Sequence, residues 1–134
     1  MTDCIFCKIV EGQIPCEKIF ENEHTIAFLD LNPVVKGHTL VIPKKHSLNV
    51  IDTEDFYLSE VLKTVKKIAN HYIKNNLATG INILNASGKS AEQSVFHLHF
   101  HILPRNDTDN MKTFPNTGYI KEDLVKIKEI FKLE

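Results

Sequence analysis

Ser94-Val95-Phe96-His97-Leu98-His99-Phe100-His101-Ile102-Leu103-Pro104-Arg105 sets three histidines at alternate positions among large apolar residues. Successive side chains of a β-strand point to opposite faces. An extended 94–105 therefore carries His97, His99 and His101 on one face and Phe96, Leu98, Phe100 and Ile102 on the other. The apolar row calls for a core, and the polar row brings three imidazoles to one region. Imidazole, with an ordinary pKa of about 6.5, serves near neutrality as nucleophile, proton donor or metal ligand. The bland alternative is three unrelated histidines on a half-exposed strand. The regular apolar partners at 96, 98, 100 and 102 favour a built site over that alternative.

Working outward, period-2 patterns mark short strands at 17–21, 25–30, 38–43 and 81–84, with breaks at Asn22-Glu23 and Asn32-Pro33. The strand opened by Gly37 brings a fourth histidine, His38, onto the side of Leu40 and Ile42. Residues 5–10 read as a short helical turn ended at Gly12. Helical spacing of Leu58, Val61, Leu62, Val65, Ile68, Ala69 and Tyr72 predicts one long helix, with Asp52 or Thr53 as N-cap and Asn75-Asn76 near its end. A polar loop at 85–93 delivers the chain to the histidine strand. After Arg105, a mobile loop over 106–118 and an amphipathic helix over 122–133 are expected, the latter burying Leu124, Val125, Ile127, Ile130 and Phe131. Local strand pairing with one long helix predicts an α+β domain built on an antiparallel sheet of about five strands. One domain over 1–134 is expected, with a core at 1–105 and an appendage at 106–134.

The bulk numbers narrow the function. With 134 residues, 43% hydrophobic, the chain is long enough for one real core. A formal charge of −1 gives no electrostatic case for a nucleic-acid partner. No apolar run reaches membrane-span length, and the first residues carry no basic and apolar leader pattern, so no membrane partner and a cytoplasmic location are expected. Three cysteines are too few and too odd for a disulfide framework.

His97-Leu98-His99-Phe100-His101-Ile102-Leu103 resembles the His-φ-His-φ-His-φ-φ signature of the histidine triad (HIT) family of nucleotide-binding hydrolases and transferases. Cys4-Ile5-Phe6-Cys7-Lys8-Ile9, Ile26-Ala27-Phe28-Leu29-Asp30 and Gly37-His38-Thr39-Leu40-Val41-Ile42-Pro43-Lys44-Lys45-His46 resemble that family in the same order. The resemblance implies a HIT-like fold and a homodimer. It implies that His99 is the nucleophile toward the α-phosphorus of a nucleotide, forming a covalent nucleotidyl-histidine. His101 and His38 would then serve the phosphate and the leaving group. It further places Ile5, Phe6, Ile9, Phe28 and Leu31 around the base, Asp30 at the ribose, and Gln93, Ser94 and Asn85 (or Ser87) at the phosphate. The expected activity is hydrolysis of a purine nucleoside phosphoramidate or dinucleoside polyphosphate without an obligatory magnesium ion. The rivals are a nucleotide-binding regulatory module with little turnover and a zinc-stabilised interaction domain.

The Cys4-x-x-Cys7 pair admits three readings by itself: half of a zinc site, a redox dithiol, or two buried thiols. Similar bacterial HIT proteins complete a structural zinc site with the histidines corresponding to His46 and His97, so the resemblance implies Cys4, Cys7, His46 and His97 as ligands. Cys16 has no close partner in sequence and reads as an incidental half-buried thiol. The chain departs from the family pattern at Glu92, where similar proteins usually carry glycine before the glutamine.

Overall fold

The computed structural model describes residues 3–115 and 118–134. Its elements are α1 (Ile5–Val10), β1 (Lys18–Glu21), β2 (Thr25–Leu29), β3 (Thr39–Pro43), α2 (Asp55–Lys74), β4 (Gly80–Leu84), β5 (Phe100–Arg105) and α3 (Leu124–Phe131), with one 3-10 turn at Lys89–Ala91 before β5. The five strands form an open antiparallel sheet in the order β1-β2-β3-β5-β4. The expected α+β architecture with three helices is the one found.

Both faces of the central strands are covered, so β2 and β3 read as continuous buried runs. On one face Ala27, Val41, Leu98 and Ile102 pack with Val61, Val65, Ile68 and Tyr72 of α2. On the other, Ile26, Phe28, Leu40 and Ile42 pack with Phe6 of α1. Burying each large side chain is worth about 1.5–3 kcal/mol, so α2 and α1 are held by side chains one residue apart on the same strands. Tyr72 of α2 also bonds Thr39 at 2.6 Å, and Thr39 donates to the Gly37 carbonyl at 2.7 Å, tying the helix end to the mouth of β3. Gly37 enters β3 at φ +85°, where a Cβ would stand 3.2 Å from Pro104 Cγ, so this turn needs glycine on two counts.

The structure corrects several expectations. The histidine segment is a strand only from Phe100 onward. Register with β3 stops at Val41↔Phe100, and Pro43 has no N–H to extend it. Instead, Leu98 N–H donates to the Ser47 carbonyl at 2.9 Å, pulling 94–99 off the ladder. Leu98, Phe100 and Ile102 still face α2, but Phe96 is 46% exposed and fills no core. Neither Asp52 nor Thr53 caps α2: Glu54 holds that position without a side-chain bond. Asp52 instead accepts from the N–H groups of Leu48 and Asn49, and Thr53 donates to the Asn49 carbonyl. Leu62, expected in the core, is 43% exposed.

α3 is shorter than expected, begins at an Asp123 cap, and buries none of its residues, with Leu124, Val125, Ile130 and Phe131 all exposed. The loop expected over 106–118 includes residues 116 and 117, which lie outside the described residues. Its first part is a tied turn, in which Arg105 binds both carboxylate oxygens of Asp109, at 2.7 and 2.9 Å, and the Met111 carbonyl.

Candidate active site and metal cluster

The face of the sheet that carries α1 opens into a cleft of about 420 Å³, within the range of small-molecule sites. Its lining brings together Ile5, Phe6 and Ile9 of α1, Phe28, Asp30 and Leu31 from β2 and the residues after it, and Ser94, His99 and His101. Every residue expected around a base or ribose is therefore present, together with His99 and His101, two of the three histidines expected to be catalytic; His38 lies behind His101, outside the lining. Ile14, Pro15 and Cys16 complete one wall. Sequence reasoning missed this wall because a loop residue with no periodic partner gives no sign of which cavity it borders. Phe6 stands edge-on to Phe28 at 5.6 Å and to His99 at 5.2 Å, so α1 joins the apolar part of the cleft to the imidazoles.

Hydrogen-bond partners assign a role to each ring nitrogen. His99 Nδ1 lies 2.8 Å from the His97 carbonyl, which can only accept. The proton therefore sits on Nδ1, and Nε2 keeps a lone pair. Burial lowers the His99 pKa, opposed by that hydrogen bond and by Asp30, so the ring is neutral at pH 7. His38 Nδ1 accepts from Val34 N–H at 3.2 Å, which puts the His38 proton on Nε2. That proton points at His101 Nδ1, 2.8 Å away, with Asp30 Oδ2 3.5 Å from the same nitrogen. His101 must then carry its own proton on Nε2. Burial, then the neighbouring His99 and His38, push the His101 pKa down to about 4. His101 is thus a neutral donor whose tautomer is set by His38. Burial likewise lowers His38, with Asp30 opposing.

On the far side of His97 lies a second cluster. Its Nε2 donates to the Pro43 carbonyl at 2.9 Å, which leaves Nδ1 as an acceptor directed at Cys4 Sγ (3.3 Å), Cys7 Sγ (3.5 Å) and His46 Nδ1 (3.2 Å). Cys7 Sγ is 3.3 Å from His46 Nδ1. Tetrahedral zinc with ordinary bond lengths needs edges of about 3.3 Å between two nitrogens and about 3.6 Å between nitrogen and sulfur. The four edges that join His97 to Cys4, Cys7 and His46, and Cys7 to His46, stand within about 0.3 Å of those figures, and all four donor atoms lie within 4.8 Å of one another. Burial and the Cys4 side chain raise the Cys7 thiol pKa, so a cation entering here has to displace a proton. Burial pushes His97 down to about 4, the Pro43 bond opposing, which keeps it a neutral ligand. Cys4 caps α1 as well, its sulfur accepting from Cys7 N–H.

Ser94 borders the cleft, whereas Gln93 and Asn85 do not. Gln93 is buried and uses its whole amide inside the protein: Nε2 donates to the Leu48 and Val95 carbonyls, and Oε1 accepts from Gly88 N–H and Asn49 Nδ2. Asn85 Nδ2 donates to the His99 carbonyl at 3.0 Å. Four consecutive residues after His46 thereby grip the site segment: Ser47 holds Leu98, Leu48 and Asn49 hold Gln93, and Val50 N–H donates to Ser87 Oγ at 3.1 Å. Glu92 lies in this segment at φ +69°, a conformation that favours glycine.

A family model described as the HIT domain matches residues 11–108. The chain belongs to the HIT family. An uncharacterized HIT-like protein of Borreliella burgdorferi is 43% identical over 132 residues, covering 97% of this chain and 94% of the relative. A Candida albicans HIT relative named adenosine 5'-monophosphoramidase is 42% identical over 108 residues, 78% of this chain and 71% of the relative. Among crystal structures, a HIT family member from Bacillus subtilis superposes with TM-score 0.84 at 42% identity, covering 98% of each chain. A zinc-bound HIT protein from Mycobacterium smegmatis gives TM-score 0.80 at 36% identity, covering 87% of this chain and 85% of the other. No helix among the described residues is long and apolar enough to cross a membrane.

Proposed function

We propose that this HIT protein is a nucleotide hydrolase that breaks a bond to the α-phosphate of a purine nucleoside phosphoramidate or dinucleoside polyphosphate through a covalent intermediate on His99. The observation that carries this reading is the His99 ring: its Nδ1 proton is committed to the His97 carbonyl, so the Nε2 lone pair is available in a cleft suited to a nucleoside. The nucleoside would lie against Phe6, Ile9 and Phe28 with its ribose hydroxyls donating to Asp30. Nε2 attacks phosphorus, the P–N or P–O bond to the leaving group breaks with its electron pair, and the leaving group takes up the His101 Nε2 proton, which the attacking water restores in the second step. Water then attacks the N–P bond's phosphorus, returning the electron pair to Nε2 and releasing the nucleoside monophosphate. His101 Nε2–H donates to the oxygens on which charge accumulates, backed by His38. The name of the Candida albicans relative supports a phosphoramidate as substrate.

The edges of the Cys4, Cys7, His46 and His97 cluster and the zinc-bound relative support a structural zinc ion there. The ion would pin α1 to the triad segment and take no part in bond breaking. The exposed apolar side chains of α3 support a homodimer, since a second copy would cover them.

The test is AMP release from adenosine phosphoramidate and from diadenosine tetraphosphate by wild type and His99→Ala, with alkaline-quench mass spectrometry, which preserves an N–P bond, for an adduct of about 329 Da on about 1 equivalent of protein. Release and a His99-dependent adduct are expected. No release from either substrate removes the hydrolase reading, and equal release by His99→Ala removes His99 as nucleophile.

A further inference from the structure

The nucleophile's backbone stands just outside the sheet: β5 begins one residue after His99, and β4 leaves its pairing with β5 after Leu84↔His101. At that point the Asn85 side chain reaches across to the peptide the strand has left. A directional chain of hydrogen bonds runs through it. Val50 N–H donates to Ser87 Oγ at 3.1 Å, Ser87 Oγ–H donates to Asn85 Oδ1 at 2.8 Å, and Asn85 Nδ2–H donates to the His99 carbonyl at 3.0 Å. The amide cannot be turned over, because that would face its oxygen to the His99 carbonyl, acceptor against acceptor.

We propose that Asn85 is a positioning residue for His99, fixing the peptide after the nucleophile so that the ring, held at its other side by the His97 carbonyl, keeps the Nδ1–H tautomer and its aim into the cleft. This rests on His99 being the nucleophile. It gives Asn85 a role different from a phosphate contact, in keeping with its absence from the cleft wall. His99 is then anchored on both sides of its Cα: its ring to residue 97, its carbonyl to residue 85. An attacking nitrogen misplaced by about 1 Å can lose about 10²-fold in rate, so the anchor acts on kcat and leaves nucleoside binding alone.

The test uses full-length, metal-loaded protein and three variants. Asn85→Asp is isosteric but sets a carboxylate oxygen against the His99 carbonyl; Asn85→Gln keeps the amide; Ser87→Ala removes only the support behind Asn85. For adenosine phosphoramidate, Asn85→Asp is expected to lower kcat by at least about 30-fold with KM within about twofold. Asn85→Gln recovers part of the loss, and Ser87→Ala loses about 3–5-fold in kcat. Nitrogen-15 NMR of labelled histidine should show His99 as a single Nδ1–H tautomer in wild type and as a mixture in Asn85→Asp. A rise in KM at unchanged kcat overturns the proposal in favour of a substrate contact. An unchanged tautomer with unchanged kcat overturns it as well. If Asn85→Asp does not fold, Ser87→Ala decides: a kcat loss at constant KM supports the relay, and wild-type kcat sinks it. A wild-type protein without turnover would defeat the hydrolase reading, while the tautomer comparison would still test the anchor.

Discussion

Two groups of imidazoles sit back to back in this molecule, and they differ in what each ring's second nitrogen meets. In the cluster of Cys4, Cys7, His46 and His97, the His97 proton is tied to Pro43 and four donor atoms converge within 4.8 Å of one another. In the group of His38, His99 and His101, His38 hands its proton to His101 and His99 hands one to backbone, which leaves the Nε2 atoms of His99 and His101 to the cleft that these two rings line. One residue type thus presents its free nitrogen either to converging sulfur and nitrogen donors or to a cleft, according to the carbonyls and N–H groups around it. His97 belongs to both groups, by its ring to the first and by its carbonyl to the second.

The sharpest way to break this division is to remove a ring from each group. His99→Ala should cut AMP release by about 10⁴-fold while metal content, read by atomic absorption, and melting temperature stay near wild type; loss of metal would show that the groups are not separable. Cys4→Ser/Cys7→Ser should do the reverse, losing the metal and about 3 kcal/mol of stability in chemical denaturation. Retention of a full equivalent of zinc would refute the ligand assignment.

Acidity separates the groups more gently. Protonating His99 removes its lone pair, and its pKa is lowered by burial, so the acid limb of kcat/KM should lie below the ordinary imidazole value of about 6.5. An acid limb at or above 6.5 would contradict the buried neutral ring. His97, pushed to about 4, resists protons that the unfolded chain binds from about pH 6.5 downward. Metal-free protein should therefore lose folding stability steadily as pH falls from about 6.5 to 4, measurable by urea denaturation at each pH. The smallest effect belongs to the loop between the groups: Glu92→Gly relieves a left-handed residue and should add about 1 kcal/mol, or about 4 °C in Tm, without changing metal content.

Much of this was legible in the residues themselves. The alternation at His97, His99 and His101 marked a site, period-2 patterns at 25–30 and 38–43 marked two of the strands, and Val61, Val65, Ile68 and Tyr72 marked the face of α2. What sequence could not show is which partner a polar group takes when several lie within reach. Gln93 carries the chemistry of a phosphate contact, yet its amide spends all its bonding capacity on its own loop. Asp52 has the makings of a helix cap, yet the N–H groups of Leu48 and Asn49 lie closer in space and win it. The periodicity of α3 predicts a buried side, but nothing among the described residues buries it. Phe96 fails for a backbone reason, because Pro43 ends the ladder that would have set its direction.

The grip of Ser47 to Val50 on Leu98, Gln93 and Ser87 has a consequence for how this molecule can vary. Ser47 meets Leu98, Leu48 and Asn49 share Gln93, and Val50 meets Ser87, so the two segments engage like a zip fastener whose teeth are counted from His46 on one side and from His97 on the other. A residue gained or lost between 87 and 98 shifts every later tooth, while the exposed turn at 89–91 is the place where slack can be taken up. Changes of length in descendants of this chain should gather there, and only Asn49 and Gln93, which meet side chain to side chain, should change identity as a pair.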